Sequence, residues 1–290
     1  MFVITAASGQ LGQLIVQELA AQVPADQIAV SVRDPQKVQA FAEQGITVHQ
    51  ADYDHIDSLV AAFTGAEKVV FISGNTPVDV RIKQHLNVVA AAERAGVKQI
   101  IYTSLLDAGR DSPFAYTIPN ADTEQALRDS TLDWVIVRPG MYAEMTFADA
   151  QRALQTGQWV SPVATGRVSY ITRHDIARAI VAILVGDGHS QQVYELTGTA
   201  AISQSEIAVM LSAISGKPVE LHVIDYATYE EGARQMGLPE DMALAFTGLQ
   251  KAMEENRLST VTSTVEQLTG QAPKTLADTL QLVLPTLMEA

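Results

Sequence analysis

Short runs of consecutive apolar, partly β-branched residues alternate with longer amphipathic stretches over the first half of the chain. The apolar runs fall at 2–5, 27–32, 46–49, 68–73, 98–103 and 133–138, and the amphipathic stretches at about 11–22, 36–44, 56–64, 78–95 and 120–130. Alternation at this spacing predicts an α/β protein with a parallel sheet covered on both faces. Runs without polar alternation suit strands buried on both sides. Gly96 sits where a helix C-cap is expected, just before the next apolar run. After Pro139 and Gly140 the rhythm changes. Helical patterns dominate at about 145–156, 173–185, 203–215, 226–236, 240–255 and 274–288, with short strand candidates at 158–161, 167–171, 192–196 and 219–223. The stretch 260–264 is the most loop-like. The chain is therefore expected to divide into 1–142, a doubly wound sheet domain, and 143–290, a smaller, mostly helical α/β region that walls a substrate cleft. Some segments of the second region are expected to return to the sheet.

The first strand runs directly into a small-residue turn, T-A-A-S-G-Q-L-G at 5–12. Strand, glycine turn and helix form the element that receives the pyrophosphate of a dinucleotide, with backbone N–H groups of Ala6, Ser8, Gly9, Gln10 and Leu11 and the helix N-terminus facing the charge. Glycines are usual at three places, and here the three are Ala6, Gly9 and Gly12. The methyl group of Ala6 is expected to fit the turn only if its φ stays negative. The motif at residue 2 also reads as a cofactor fold that starts immediately, with no leader before it.

At the end of the second strand, Ser31 and Arg33 stand where NAD-specific folds carry an acidic residue. The arginine fork suits a 2′-phosphate, so NADPH is expected over NADH. Asp34, followed by Pro35, reads as a helix cap. Further candidates for cofactor contact lie after later strands. Asp52 is placed to accept from an adenine amino group or to cap the next helix, and Tyr53 to flank the ring. Ser73 and Gly74 lie on the nicotinamide side, and Thr103 and Ser104 at the carboxyl edge of the sheet.

The 290 residues carry 47% hydrophobic and 6% aromatic side chains and no cysteine, which excludes disulfides, thiol catalysis and cysteine-ligated metals. Acidic residues number 33 against 19 basic, a formal charge of −14. With no basic cluster to displace counterions, nucleic acid is not an expected partner. No apolar run spans a bilayer, and the expected location is the cytoplasm. The six histidines show no ligand spacing, so no metal site is expected. His85, within 78–95 and beside Gln84, reads first as a satisfied helix histidine, with a place facing the cofactor cleft as the alternative.

In order along the chain stand T-A-A-S-G-Q-L-G, V-R-D-P, Q-A-D-Y, F-I-S-G, Q-H-L-N-V-V-A-A-A, A-G-V-K-Q-I-I-Y-T-S-L, R-P-G-M-Y and Q-V-Y-E-L-T-G. The chain resembles the NmrA-like branch of atypical short-chain dehydrogenases, most of all bacterial NADPH:quinone oxidoreductases and triphenylmethane reductases. The resemblance implies a Rossmann domain, NADPH binding and a small cleft-bearing second domain. Standard short-chain dehydrogenases use Tyr-x-x-x-Lys, whereas this chain has Tyr116-x-x-x-Asn120 and no lysine between Lys98 and Lys217. NmrA-like relatives often carry Lys or His near the position of Asn120. An asparagine can hydrogen-bond a ribose but does not readily transfer a proton. Tyr116 and Tyr142 are placed as residues that stack on or hydrogen-bond a flat substrate. The expected activity is NADPH-dependent hydride transfer to a quinone or similar electron-poor acceptor, with Asn120, Tyr116 and Tyr142 at the reacting centre. The alternative is an NADP(H)-sensing protein without turnover. A homodimer is the default assembly.

Overall fold

The structure, a computed structural model, describes residues 1–289. Along the first half run β1 (Phe2–Thr5), α1 (Gln10–Ala20), β2 (Ile28–Val32), α2 (Gln39–Glu43), β3 (Thr47–Gln50), α3 (Ile56–Phe63), β4 (Lys68–Ile72), α4 (Val78–Ala95), β5 (Gln99–Thr103), α5 (Thr117–Asp129) and β6 (Asp133–Pro139). There follow β7 (Met141–Tyr142), α6 (Phe147–Thr156), β8 (Gln158–Ser161), β9 (Arg167–Ile171), α7 (Arg173–Val185), β10 (Gln192–Leu196), β11 (Ala201–Ser203), α8 (Gln204–Ser215), β12 (Glu220–Val223), α9 (Tyr226–Gln235), α10 (Glu240–Glu254), α11 (Thr264–Thr269) and α12 (Leu276–Glu289). No helix among the described residues is long and apolar enough to cross a membrane.

The chain forms two compact units. One holds 1–108, 118–138 and 173–195, and the other holds 109–117, 139–172 and the chain from 196 onward. A cut after 142 treats 143–290 as one block, whereas α7 and most of β10 are built into the first unit.

The first unit is a seven-stranded sheet in the order β10-β6-β5-β4-β1-β2-β3. Neighbours from β3 to β6 are all parallel. Chain order reverses beside β1, whose neighbours are β2 and β4, which is the topological switch point where such sheets bind ligands. All five residues of β2 and of β5 are buried. Successive side chains enter opposite layers. Val3, Val69, Phe71, Ile100 and Tyr102 meet Leu59, Phe63, Val88, Ala92 and Leu127 of α3, α4 and α5. Helices α1 and α7 pack together, and their buried residues include Ile15, Val16 and Leu19 on α1 and Ile176 and Ile180 on α7. Gly96 closes α4 with φ +69°.

A charged cluster joins α5 to β5 and β6. Glu124, on α5, is 1% exposed. It accepts from Arg138 Nε at 2.8 Å and Nη2 at 2.6 Å, from Arg128 Nη2 at 3.0 Å and from Ser104 Oγ at 2.7 Å. Burial alone would raise its pKa, but Arg138, Ser104 and Arg128 outweigh burial and hold the carboxyl below its ordinary value.

The second unit is built around two small sheets. One has the order β11-β9-β7, with β11 antiparallel and β7 parallel to β9, and the other pairs β12 with β8 in parallel. Helix α8 begins with a reciprocal capping box between Ser203 and Glu206.

Replacing Glu124 with glutamine leaves two guanidinium groups facing a neutral amide. The expected loss is about 2–3 kcal/mol of stability, read as a lower urea midpoint at unchanged m-value. An unchanged midpoint would show that the cluster contributes nothing net.

Candidate active site

The carboxyl ends of β1 to β5 share one edge of the sheet. At that edge β1 and β4 part, and side chains take over the backbone hydrogen bonds. Thr5 Oγ1 accepts from Ile72 N at 3.0 Å. Tyr53 donates its hydroxyl to Ile72 O at 2.8 Å and lies 2.6 Å from Thr5 Oγ1, so Thr5 supplies the proton in that last contact. One strand over, Thr103 Oγ1 accepts from Ser73 N at 2.9 Å. Burial pushes the Tyr53 phenol far above its ordinary pKa, partly offset by Thr5 and by the Arg33 charge.

Beyond Thr5 the chain turns with Ala6 at φ +48°, and Gly9 N donates to Ala6 O at 2.9 Å. The expectation of a negative φ at Ala6 is thus corrected. The turn needs the left-handed region, and the alanine adopts it at a steric cost of about 1–2 kcal/mol. Gly12 is the glycine that the geometry demands. A Cβ there would lie 2.6 Å from Ala6 O and 2.7 Å from Ala7 Cα. At Gly9 a Cβ would lie 3.3 Å from Ala6 O.

The first helical bond of α1 runs from Gln13 N to Gly9 O. The N–H groups of Gln10, Leu11 and Gly12 therefore precede the helical ladder. No side chain caps this end, and its first turn holds no acidic residue. A bare helix N-terminus behind a tight turn suits a pyrophosphate. Ser8, half-buried, offers backbone groups in the same turn and accepts from Gln13 Nε2 at its carbonyl.

The groups expected on the adenosine side lie beyond β2 and β3. Arg33 is exposed at the end of β2, and its guanidinium makes no ion pair among the described residues. Asp34 accepts from Gln36 N at 3.1 Å and Pro35 follows it, so it is a cap. Asp52 turns inward on its own loop and accepts from Asp54 N at 3.1 Å. The Tyr53 hydroxyl is fully engaged, and its ring meets Phe71 edge-on at 5.6 Å. These contacts leave Tyr53 a brace of the sheet edge rather than a hydrogen-bonding partner for a ligand.

The groups expected on the nicotinamide side lie beyond β4 and β5. Gly74 has room for a Cβ, whose nearest neighbours would be 3.6 Å away or more. Its N–H donates to Nε2 of His85 at 3.0 Å. His85 is fully buried on α4. With Nε2 accepting, the proton sits on Nδ1 and goes to Thr123 Oγ1 at 2.8 Å, and Thr123 in turn donates to Pro119 O at 2.6 Å. Burial, with some help from the Arg81 charge, drives the His85 pKa down to about 3. The ring is neutral. Two neighbours on α4 hold the same loop: Arg81 donates to Thr76 O at 2.7 and 3.0 Å, and Gln84 accepts from Thr76 Oγ1 at 2.8 Å.

Asn120, one residue past Pro119, is 1% exposed, and its Oδ1 has no hydrogen-bond partner among the described residues. Such a buried carbonyl oxygen is costly unless something supplies a donor. Ser104 and Thr103 differ from Asn120, because their hydroxyls serve Glu124 and the strand ends. Tyr116 and Tyr142 belong to the second unit, Tyr116 edge-on to Phe114 at 5.5 Å and Tyr142 on β7 beside Ile171. No group of three His, Asp or Glu residues able to hold a metal occurs among the described residues.

The second unit has a cavity of its own, about 230 Å³, walled by Met141, Trp159, Tyr170, Tyr229 and Phe246, with Asp149 at its wall. Gln204 donates to Tyr170 Oη and Gln250 to Tyr229 Oη, both at 3.2 Å. The two phenol protons remain available to a ligand. No sequence spacing signals this cavity, since its residues come from seven separate elements, β7, α6, β8, β9, α8, α9 and α10.

The sequence profile of the NAD(P)H-binding family matches residues 6–187. The chain belongs to this family. It is 37% identical over 280 residues to quinone oxidoreductase 2 of Escherichia coli strain K12, covering 97% of each chain. The crystal structure of the NADPH-dependent quinone oxidoreductase of Escherichia coli complexed with NADPH superposes with a TM-score of 0.93, covering 98% of this chain and all of that one. The Citrobacter sp. triphenylmethane reductase complexed with NADP(H) gives 0.92 at 31% identity, covering 97% and 99%. These are the groups that the order of motifs resembles.

Three outcomes test this geometry. Gly12→Ala is expected to lose about 1–3 kcal/mol of stability and to weaken nucleotide binding. Ala6→Gly is expected to gain about 0.5–1 kcal/mol without weakening it. Both are read by thermal unfolding with and without nucleotide. His85 stays neutral in the folded chain to about pH 3 but takes up its proton near 6.5 when unfolded. The unfolded state therefore binds more protons between these values, so His85's contribution is complete above 6.5 and is lost as the pH falls, by at most about 1.4 kcal/mol per pH unit. His85→Gln should flatten the acid limb of a stability-versus-pH curve, and an unchanged limb would contradict the neutral histidine.

Proposed function

We propose that the protein is an NADPH-dependent reductase of quinones or similar flat, electron-poor acceptors. The observation that carries this reading is the uncapped N-terminus of α1, held against the Ala6–Gly9 turn by the missing side chain of Gly12. The turn and the helix end would hold the pyrophosphate. The Arg33 fork, with no acidic partner, would hold a 2′-phosphate. Asn120, with its unpartnered oxygen, would accept from a donor on the nicotinamide half. Bound there, the dinucleotide would supply a hydride.

The chain's own groups determine which acceptor suits that chemistry. The place of the usual lysine is taken by a neutral amide, and the nearest histidine has lost its basicity. Neither can relay a proton at neutral pH. An electrophilic quinone needs no such relay, because water can protonate its reduced oxygens. The flat-walled cavity of the second unit, with two phenol donors, has the chemistry to receive a ring bearing carbonyl oxygens. The Escherichia coli relatives named above reduce quinones, which supports the same class.

The test is a fluorescence titration with NADPH and NADH, followed by 1,4-benzoquinone. NADPH is expected to bind more tightly and to be oxidised only when quinone is present. Arg33→Ala should weaken NADPH about ten- to a hundredfold, the cost of one charge-assisted pair, and leave NADH within twofold. Failure to bind either nucleotide would overturn the reading. Tight binding without quinone-dependent oxidation would favour a sensor.

A further inference from the structure

We infer that His85 is a positioning residue: its imidazole locks the Ser73–Gly74 turn to the first turn of α5 and so fixes the nicotinamide side of the cofactor site around Asn120. The inference rests on the NADP(H) reading above and adds a group that reasoning from motifs treats as core.

The linkage is continuous. Gly74 N reaches His85 Nε2 at 3.0 Å, His85 Nδ1 reaches Thr123 Oγ1 at 2.8 Å, and Thr123 Oγ1 reaches Pro119 O at 2.6 Å. Asn120 follows Pro119 directly. Three elements that are distant in sequence are thereby held in one geometry: the end of β4, the middle of α4 and the start of α5. Phe71 packs edge-on against the ring at 4.9 Å, and the Tyr102 hydroxyl lies 3.4 Å from Nδ1.

The chemistry of the link requires a ring with one donor and one acceptor on opposite sides. An imidazolium has two donors and would face Gly74 N–H with a proton. Both nitrogens are engaged, as burial requires, and their partners lie on two separate elements, the turn after β4 and helix α5. The adenosine side depends on other groups in this reading, namely Arg33 and the Ala6–Gly12 turn, and none of the contacts described above joins them to His85.

This separation makes the inference testable by binding alone. NADPH has both halves, while 2′,5′-ADP has only the adenosine half. Thr123→Val cuts the link with little change of shape, and Thr123→Ser restores the hydroxyl. For Thr123→Val we expect the NADPH dissociation constant to rise at least fivefold while that of 2′,5′-ADP stays within twofold. Thr123→Ser should match the unaltered protein for both ligands. His85→Leu should give the same split with a larger loss for NADPH, and if it fails to fold, the Thr123 pair decides. Equal losses for both ligands, or none for either, would overturn the positioning role. Failure of the unaltered protein to bind NADPH would instead remove the underlying reading.

Discussion

Where β1 and β4 separate, their backbone N–H and C=O groups lose their ladder partners and must find others. A buried group left unpaired costs about 1–3 kcal/mol, so the separation exists only because Thr5, Tyr53 and Thr103 close it. Thr5 takes the Ile72 N–H, Tyr53 takes the Ile72 carbonyl, and Thr103 takes the Ser73 N–H. The crevice of a doubly wound sheet is thus a problem of hydrogen-bond accounting before it is a ligand site. The side chains that close it stand where a reader of motifs expects ligand contacts.

The same accounting explains the first turn. The chain must leave β1 and enter α1 within four residues, and only a left-handed residue at position 6 does so. Ala6 carries that conformation because Gly9 N returns a bond to its carbonyl and because α1 lies flat against the turn at Gly12. A strained residue persists when its surroundings over-determine it. The strain ends beside three N–H groups that no protein atom caps. That pairing of strain with unsatisfied donors is a stronger sign of a ligand than the glycine pattern is.

Periodicity made most of the architecture legible. The elements 78–95, 158–161, 167–171, 173–185 and 192–196 have the bounds that the apolar pattern implies, because strong amphipathic or β-branched runs end at Gly, Pro or capping residues. Helix α11 and strands β7 and β11 were not legible, being too short to show a period. The return of 173–195 to the first unit is a long-range packing event, and only a pattern-level hint of it exists in the sequence. At the site, the Asp34 cap could be read from the proline that follows it. The hydrogen-bond partners of Tyr53 and Ser104 could not be read from the sequence. Whether a polar side chain faces a ligand or a strand end depends on what stands opposite it: Ile72 for Tyr53 and Glu124 for Ser104. Position in the chain says nothing of either.

The electrostatics of the β4–α5 side narrow the chemistry further. The full charges there are consumed in pairs or bound to backbone: Glu124 answers Arg138 and Arg128, and Arg81 is committed to Thr76 O. The hydrogen-bond chain that ends beside Asn120 is neutral, made of a histidine deprived of its proton, a threonine and a backbone carbonyl. A reaction needing a charged acid to protonate a poor acceptor gains nothing from such a lining. A reaction whose electron flow is driven by the acceptor itself needs only rigid orientation, which a chain of neutral hydrogen bonds provides without the desolvation cost of a buried ion. The absence of the lysine and the neutrality of His85 are therefore one design seen from two sides. On the proposed reading, such a site would favour acceptors that reduce readily once held, with specificity coming from shape rather than from proton transfer.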